Sequence, residues 1–562
     1  MTDLEIARSA RIKPIEKIAE MLGLFSDEII PYGRAQAKVA LSALDRLKPR
    51  SMGRYILVTA INPTPLGEGK TTTSIGLAMG FCRKGHNAVV TLRQPSIGPV
   101  FGIKGGGTGG GRAQVLPMED INLHLTGDAH AVASSHNLLS AFTDNHLFHG
   151  NELHLDSSRL AWPRAMNVSD RALRDVWVGN GEGEYAHKAR FVITEASEVM
   201  AILALASGPA DLRNRLGRII VGFTTEGRPV TAEELKCAGA MAVLLNHALC
   251  PNLVQTLEGT PAFVHTGPFG NIAHGNCSIL SDALALRCAD YVITEAGFGS
   301  ELGAEKFFNI KCRFSGFKPD AAVIVATLRA LKLHGGGGVA KAGAPLPVGL
   351  TGPNQDALAK GIANLEQHIA NVTAYGVPVI VAINGFQGDS QEEWQYVRQR
   401  ALEAGAVGAE VSTHWSDGGQ GAEALVEAII AACRRPSSFR LLYPDSMSIK
   451  QKIETVATRM YGADGVLFEP DAEEQIETAS RLGFDQWPVC MAKTPLSLSH
   501  DSARKGRPTG FTVPIKELRI LGGAGFLTAV CSGIQLLPGL PKHPAGERID
   551  LDPKTGQIVG LS

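Results

Sequence analysis

The feature that most constrains the fold is a series of short, almost wholly apolar runs that begins at Arg54. Helical segments separate the runs, which read RYILVTAI, NAVVTLR, RIIVGF, AFVHTG, YVITEAG, AAVIVATL and PVIVAIN. Apolar runs that alternate with helices are typical of strands buried on both faces of a mostly parallel sheet. We therefore predict an α/β fold whose ligands bind where the strands end, because nucleotides in such sheets bind at the carboxyl ends of the strands.

The chain has 562 residues, too many for a single hydrophobic core, so several lobes are expected. Residues 1–48 have helical periodicity, with one apolar stripe at Ile15, Ile18 and Leu22 and another at Val39, Leu44 and Leu47. The composition changes again near CRRPSSFRLLYPDSMS. We predict that residues 1–435 form a core with N-terminal helices and inserted lobes, and that residues 436–562 form a separate C-terminal α/β domain.

Composition excludes some classes of partner. The 54 basic and 55 acidic residues leave a formal net charge of -1, whereas a large nucleic-acid footprint needs a basic excess. No apolar run is long enough to span a bilayer. The nine cysteines are dispersed without a Cys-x-x-Cys pair, which indicates reduced thiols. We expect a cytoplasmic protein with neither nucleic-acid nor membrane partners.

The stretch PTPLGEGKTTT follows the first strand and precedes a helical segment. It matches the phosphate-binding pattern Gly-x4-Gly-Lys-Ser/Thr, except that Thr64 replaces the first glycine. Two further glycines allow close backbone approach, Lys70 can reach the outer phosphates, and Thr71 can hold magnesium. We predict a P-loop NTPase-like core whose nucleotide site comprises Thr64, Pro65, Leu66, Gly67, Glu68, Gly69, Lys70 and Thr71.

Other candidate residues also follow predicted strands. Arg93 comes after NAVVTL, where its guanidinium can grip phosphate or carboxylate bidentately. The glycine run 105–111, between Lys104 and Arg112, is either a flexible linker or a second anion-binding loop. The HTGPFG turn places Gly270 where its N–H can meet an oxyanion.

Two aromatic residues, Phe386 and Trp415, follow two further predicted strands. Aromatic rings in such positions can sandwich a planar ligand, although each ring alone is more often part of ordinary packing. The sequence leaves both readings open.

Several long stretches resemble the formate–tetrahydrofolate ligase family over nearly the whole chain. TPLGEGKTTT is similar to the ATP loop of that family, and GIKGGGTGGGR and VATLRALKLHGG are similar to its two signatures. The match continues in PMEDINLHLTGDAHA, NLVQTLEGTPAFVHTGPFGNIAHGN, VITEAGFGSELGAEKFFNIKCR and MYGADGV. Three positions depart from the first signature: Gly107 and Thr108 replace alanines, and Arg112 replaces a tyrosine.

The resemblance implies that ATP, formate and tetrahydrofolate give 10-formyltetrahydrofolate, ADP and phosphate through formyl phosphate. It implies that Lys70 and Arg93 are catalytic and that Arg93 and the N–H of Gly270 orient formate and the intermediate. Phe386 and Trp415 resemble the pair that stacks on the pterin, in space that adenine also uses. The resemblance further implies ATP with magnesium, a monovalent cation and a homotetramer.

The residues themselves leave two other functions open. One is a ligase for a different carboxylate on the same nucleotide-binding fold, and the other is a non-enzymatic nucleotide switch that docks a partner. The sequence does not single out the group that takes the proton from the attacking folate amine, for which His124, Asp128 and His265 are candidates.

Overall fold

The computed structural model describes residues 1–65, 67–102, 106–179, 186–270, 273–340, 345–531 and 533–561. Its largest sheet has twelve strands, seven of which run parallel. In chain order these are β1 (Arg54–Ala60), β2 (Ala88–Leu92), β3 (Pro261–Val264), β4 (Tyr291–Glu295), β5 (Ala321–Ala326), β6 (Val379–Asn384) and β7 (Gly408–Ser412).

The spatial order of the parallel strands is β3-β2-β4-β1-β5-β6-β7. Helix α1 (Lys70–Arg83) connects β1 to β2, and β4 lies between those two strands. Almost every residue of β1, β2 and β5 is buried, because helices cover both faces of the sheet. The prediction of a mostly parallel α/β sheet is confirmed.

Antiparallel strands extend the sheet beyond β3. They are Ile29–Pro31, Ala37–Val39, Asn252–Thr256, Gly109–Gly110 and Ala113–Leu116. The prediction that residues 1–48 are helical is therefore wrong around Val39, which lies in a strand between Ile29–Pro31 and Asn252–Thr256 and donates its N–H to the Pro251 carbonyl. Helices do form at Asp3–Ser9, Ile15–Met21 and Ser42–Leu47.

One predicted strand belongs to a different sheet. The run RIIVGF contributes Ile220–Thr224, which pairs with Leu155–Leu160 and Pro229–Thr231 in a three-stranded antiparallel sheet. Smaller pairs are Arg164–Met166 with Phe191–Ile193, Val176–Val178 with His187–Ala189, and Asp550–Leu551 with Ile558–Val559.

The C-terminal residues form a four-stranded sheet in the order Gly465–Phe468, Thr512–Leu521, Phe526–Cys531 and Val489–Ala492. Helices Ile449–Tyr461 and Pro470–Arg481 accompany this sheet. Its apolar residues belong to the same hydrophobic cluster as one face of the large sheet. The division at 435/436 stays a prediction.

The remaining α-helices complete the layers. They are Ile97–Phe101, Met118–Leu123, Asp128–Phe148, Glu198–Leu205, Pro209–Gly217, Ala238–Leu244, Ile279–Cys288, Arg313–Ser315, Leu328–His334, Val348–Thr351, Gln355–Thr373, Gln391–Glu403, His414–Asp417 and Glu423–Cys433. Two π-helical segments, Ser300–Ala304 and Phe307–Cys312, follow β4.

Candidate active site

The loop at 64–71 connects β1 to α1 and is closed by hydrogen bonds within itself. The N–H of Thr64 donates to the Glu68 carboxylate at 2.7 Å, and the N–H of Gly67 donates to the Thr64 carbonyl at 3.1 Å. Gly67 and Gly69 have φ values of +73° and +82°, which only glycine adopts without strain. The Glu68 side chain thus holds the loop at Thr64, the position where the phosphate-binding pattern has its first glycine. Leu66 lies outside the described residues.

Glu68 and Asn384 fix the loop to the sheet. The Asn384 amide, at the end of β6, donates to the Glu68 carbonyl at 3.1 Å. A Cβ added at Gly69 would lie 2.5 Å from the Asn384 Nδ2 atom, so the approach requires glycine. Burial raises the pKa of Glu68, while Lys70 and the Thr64 N–H oppose the shift. Glu68 therefore acts as an internal brace of the loop.

The first turn of α1 is held by hydroxyl groups. Those of Thr72 and Thr73 both donate to the Gly69 carbonyl, at 2.7 and 2.8 Å. The buried ring of His414 lies 3.3 Å from the Thr73 hydroxyl and 2.8 Å from the Ser412 hydroxyl. Burial lowers the pKa of His414 to about 4, which keeps the ring neutral beside the helix N-terminus. The free N–H groups of this turn can receive an anion.

Lys70 and Thr71 differ in what they contact. Among the described residues, the half-buried Lys70 ammonium has no hydrogen-bond or ion-pair partner. The Thr71 hydroxyl donates to the Glu295 carboxylate at 2.7 Å. Glu295 is the last residue of β4 and is buried, and the neighbouring strand β1 leads into the loop.

Arg93 meets the same carboxylate from the other side. It follows β2, which is the other neighbour of β4, and its Nε atom lies 3.5 Å from the Glu295 Oε1 atom. A Cβ added at Gly297 would lie 2.9 Å from an Arg93 terminal nitrogen, so the chain after β4 passes close to the guanidinium. Thr71, Glu295 and Arg93 therefore form a continuous line across three strand ends. Sequence reasoning missed Glu295, although it ends a predicted strand.

The loop after β3 lies against the segment that contains Arg93. The Gln94 N–H donates to the Thr266 carbonyl at 2.6 Å, and Thr266 has a φ of +53°. The buried Lys306 ammonium donates to the Gly270 carbonyl, which orients this peptide. Gly270 therefore lies on the loop that contacts the segment after Arg93, and its role toward an oxyanion stays a prediction; residues 271 and 272 lie outside the described residues.

Several buried polar atoms at these strand ends have no hydrogen-bond partner in the part of the chain that the structure describes. Native proteins rarely leave such atoms unsatisfied, so a cluster of them indicates a place for a polar ligand. The cluster comprises Arg93 Nε, Gln94 Oε1, Ser96 Oγ, Glu195 Oε2, Thr266 Oγ1, Asn276 Oδ1 and both ring nitrogens of His274.

The two aromatic residues follow neighbouring strands. β6 and β7 pair in parallel, with Asn384 opposite Ser412. The Arg329 guanidinium lies over the Phe386 ring, 4.4 Å from its centre. The Trp415 side chain is 48% exposed. No ring contact joins Phe386 to Trp415 among the described residues. Whether the two rings sandwich a ligand therefore stays a prediction.

The end of the glycine run packs against the backbone of Trp415. The Arg112 N–H donates to the Trp415 carbonyl at 2.8 Å, and a Cβ at Gly111 would lie 2.2 Å from the same oxygen. The buried Thr108 hydroxyl accepts from Asn122 at 3.3 Å. Residues 106–111 therefore pack as ordered backbone, whereas the linker reading predicted a loose segment. Residues 103–105 lie outside the described part.

Two of the three proton-acceptor candidates are engaged in the fold. His265 is buried, with its ring nitrogens 2.6 Å from the Ser278 hydroxyl and 2.7 Å from the Ala248 carbonyl. Asp128 forms a buried ion pair with Lys38 at 2.8 Å. Only His124 is exposed to solvent. His265 and Asp128 therefore already have hydrogen-bond or ion-pair partners within the fold.

No helix among the described residues is long and apolar enough to cross a membrane. All nine cysteines have free thiols, in agreement with the prediction.

Comparison with known proteins identifies the chain. A family model described as formate–tetrahydrofolate ligase matches residues 1–562. The chain is 54% identical to the formate–tetrahydrofolate ligase of Desulforamulus reducens, with 100% of this chain and 99% of the relative covered. It is 54% identical to that of Roseiflexus sp. (strain RS-1), with both chains fully covered. It is 52% identical to that of Saccharopolyspora erythraea, with 100% and 99% covered.

The fold, the site and these relatives together define an α/β enzyme of the ligase class. The chain belongs to the formate–tetrahydrofolate ligase family.

Proposed function

We propose that the protein ligates formate to tetrahydrofolate at the expense of ATP. The products are 10-formyltetrahydrofolate, ADP and phosphate, and the intermediate is formyl phosphate. The proposal rests on family membership and on one observation of the site. That observation is the line from Thr71 through Glu295 to Arg93, beside the Lys70 ammonium, which forms no ion pair within the part of the chain that the structure describes.

This line suits the activation of a carboxylate. Formate is a poor acyl donor, so it must first take the terminal phosphoryl group of ATP, which makes phosphate the leaving group. The N–H of Gly69 and the Lys70 ammonium would hold the transferring phosphoryl group and stabilise its charge. Arg93 and the N–H of Gly270 would orient formate for attack.

Magnesium fits the residues at the loop. The Thr71 hydroxyl and the Glu295 carboxylate are oxygen donors 2.7 Å apart, and magnesium prefers oxygen ligands that it shares with nucleotide phosphates. When bound, magnesium would neutralise charge on the phosphates. Glu295 would then keep Thr71 oriented and balance the charge of Arg93. A monovalent cation is proposed from the family resemblance alone.

Folate would bind between Phe386 and Trp415, at the ends of β6 and β7. A half-exposed indole beside a strand end can offer its face to a planar ring. The amine of tetrahydrofolate would then attack the formyl carbon held near Arg93 and Gly270.

We also propose the wider features that the resemblance implies. These are a P-loop NTPase-like core within residues 1–435, a C-terminal domain at 436–562, a cytoplasmic homotetramer, and no nucleic-acid or membrane partner. The support for the core is the loop between β1 and α1 at the carboxyl end of a central parallel strand.

One assay tests the proposed reaction. ADP formation is measured with magnesium and ATP while formate and tetrahydrofolate are each supplied or omitted. We expect sustained ADP release only when both are present. Release driven by another carboxylate would indicate a different ligase. ATP binding with a conformational change but no formate-dependent turnover would indicate a nucleotide switch.

A further inference from the structure

Glu195 occupies a position analogous to that of Glu295. The stretches FVITEAS and YVITEAG place the two glutamates at the same point after similar strands. Glu295 ends β4, whereas Glu195 follows the strand Phe191–Ile193. Its side chain is buried, with the whole residue 2% exposed.

Glu195 lies between the two segments that surround the proposed formyl phosphate position. Its carbonyl accepts from the Phe269 N–H at 2.9 Å. A Cβ at Gly267 would lie 3.8 Å from the Glu195 Cγ and 2.6 Å from the Gln94 carbonyl, so all three residues meet. Ser96, from the same segment as Gln94, lies near enough to the Glu195 carboxyl to oppose the rise of its pKa, although its Oγ atom is not within hydrogen-bond geometry of that group.

The carboxyl of Glu195 is incompletely satisfied within the protein. Among the described residues, its Oε2 atom is buried without a hydrogen-bond partner, and so is the Oε1 atom of Gln94 on the adjoining segment. Glu198, three residues later, is a contrasting case. It is also buried, but its carboxylate accepts from the N–H groups of Gly523 and Ala524 at 2.7 and 3.1 Å.

We propose that Glu195 accepts the proton from the folate amine when that amine attacks formyl phosphate. This step rests on the proposed function, and every bond and proton in it is accounted for. The nitrogen–carbon bond forms, the carbon–oxygen bond to phosphate breaks, phosphate leaves with that electron pair, and the amine proton passes to the Glu195 carboxylate. In the reverse reaction the same carboxyl group returns the proton.

The surroundings of Glu195 suit this role. Burial raises the pKa of Glu195 to about 7, and the Ser96 hydroxyl opposes part of the shift. A base is most effective when its pKa lies near the working pH. The adjoining segments carry Arg93, His265 and His274, but no charged group contributes to the shift of the Glu195 pKa. Burial lowers the pKa values of both histidines, so they stay neutral.

The test uses Glu195→Gln, which keeps the shape of the side chain and removes the base. We expect kcat for 10-formyltetrahydrofolate formation to fall by about 10²- to 10⁴-fold, the usual contribution of such a base. Formate activation needs no folate and is measured separately. ATP labelled with ¹⁸O in its β,γ-bridge scrambles that label when formyl phosphate and ADP form reversibly. We expect this formate-dependent scrambling to persist in the variant.

Glu198→Gln is the matched control, because burial also raises the pKa of Glu198 to about 7. We expect this control to retain wild-type kcat. Wild-type kcat in Glu195→Gln would overturn the proposal. Loss of both isotope scrambling and turnover in this variant would also overturn it, because Glu195 would then belong to the formate site. Absence of formate-dependent scrambling in the wild type would instead refute the proposed function.

The wild-type pH profile provides a second test that does not depend on the folding of any variant. If Glu195 must be ionised, kcat should fall tenfold per pH unit below about pH 7. The rate of isotope scrambling should lack this limb. A kcat that stays constant from pH 8 to pH 5.5 would overturn the proposal.

Discussion

Substitution of Glu295 by Gln tests the line of residues that joins the phosphate loop to Arg93. The amide keeps the shape of the carboxyl group but removes its charge. Two interactions change: the 2.7 Å hydrogen bond from Thr71 and the 3.5 Å approach of Arg93. Because the Glu295 side chain is only 5% exposed, water screens neither of them well.

The magnitude follows from these distances. A hydrogen bond to a charged acceptor is worth about 1 kcal/mol more than one to a neutral acceptor. Two unit charges 3.5 Å apart attract by about 5 kcal/mol at an effective dielectric constant of about 20. If about 3 to 4 kcal/mol of this total acts in the transition state, kcat should fall on the order of 10²- to 10³-fold.

The assay is steady-state kcat at saturating substrates, with the magnesium concentration for half-maximal rate as a second readout. We expect kcat to fall as calculated and more magnesium to be required, because an amide is a weaker ligand. Asp320→Asn is the matched control, since Asp320 pairs with Arg54 at 2.7 Å at the opposite end of β1. A Glu295→Gln kcat within threefold of wild type, with unchanged magnesium dependence, would refute the reasoning.

Further outcomes are expected from four other perturbations. Lys70→Ala should lower kcat at least a hundredfold with the circular dichroism spectrum unchanged, because it removes charge stabilisation and little packing; wild-type turnover would contradict the nucleotide assignment. Trp415→Ala should raise the tetrahydrofolate KM at least tenfold and the ATP KM less, and Trp415→Phe should recover much of the loss by restoring a ring; an unaltered folate KM would assign the indole to packing. Gly107→Ala would place a Cβ 3.0 Å from Pro95, so the thermal midpoint should fall by a value equivalent to about 1 kcal/mol. An unchanged melting curve would show that Pro95 moves aside without cost. Burial lowers the pKa of His265 to about 4, below the unfolded value near 6.5, so its stabilisation is complete above pH 6.5 and is lost as the pH falls through 4. Urea titrations should therefore show a loss of about 3 kcal/mol from this residue across that window, and a stability that does not change with pH would contradict the assignment.

The local parts of this structure could be predicted from the sequence because they depend on short-range patterns. Apolar runs identified the buried strands, and the glycine-rich turn residues identified the tight loop between β1 and α1. The strand before Arg93 was predicted and ends at Leu92, whereas Gly270 lies six residues after the end of its strand at Val264. Phe386 and Trp415 follow two predicted strands, and the pairing of β6 with β7 shows that these strands are neighbours, which the sequence did not establish.

Long-range pairing could not be predicted in the same way. The run RIIVGF is as apolar as the others, yet it belongs to a different sheet. An apolar run indicates that a strand is buried but not which strand pairs with it. Val39 becomes a strand residue through pairing with a segment more than 200 residues away. Glu295 was missed for a similar reason: β4 inserts between β1 and β2, and only this order brings its carboxylate between Thr71 and Arg93.

The central claim is that the loop and Arg93 activate formate as an acyl phosphate. The most direct measurement follows oxygen from formate labelled with ¹⁸O during turnover with ATP and tetrahydrofolate. Attack of the amine on formyl phosphate leaves one formate oxygen on the released phosphate. We therefore predict one ¹⁸O atom in each phosphate, measured by mass spectrometry. Phosphate without label, formed at the same rate as 10-formyltetrahydrofolate, would contradict the claim.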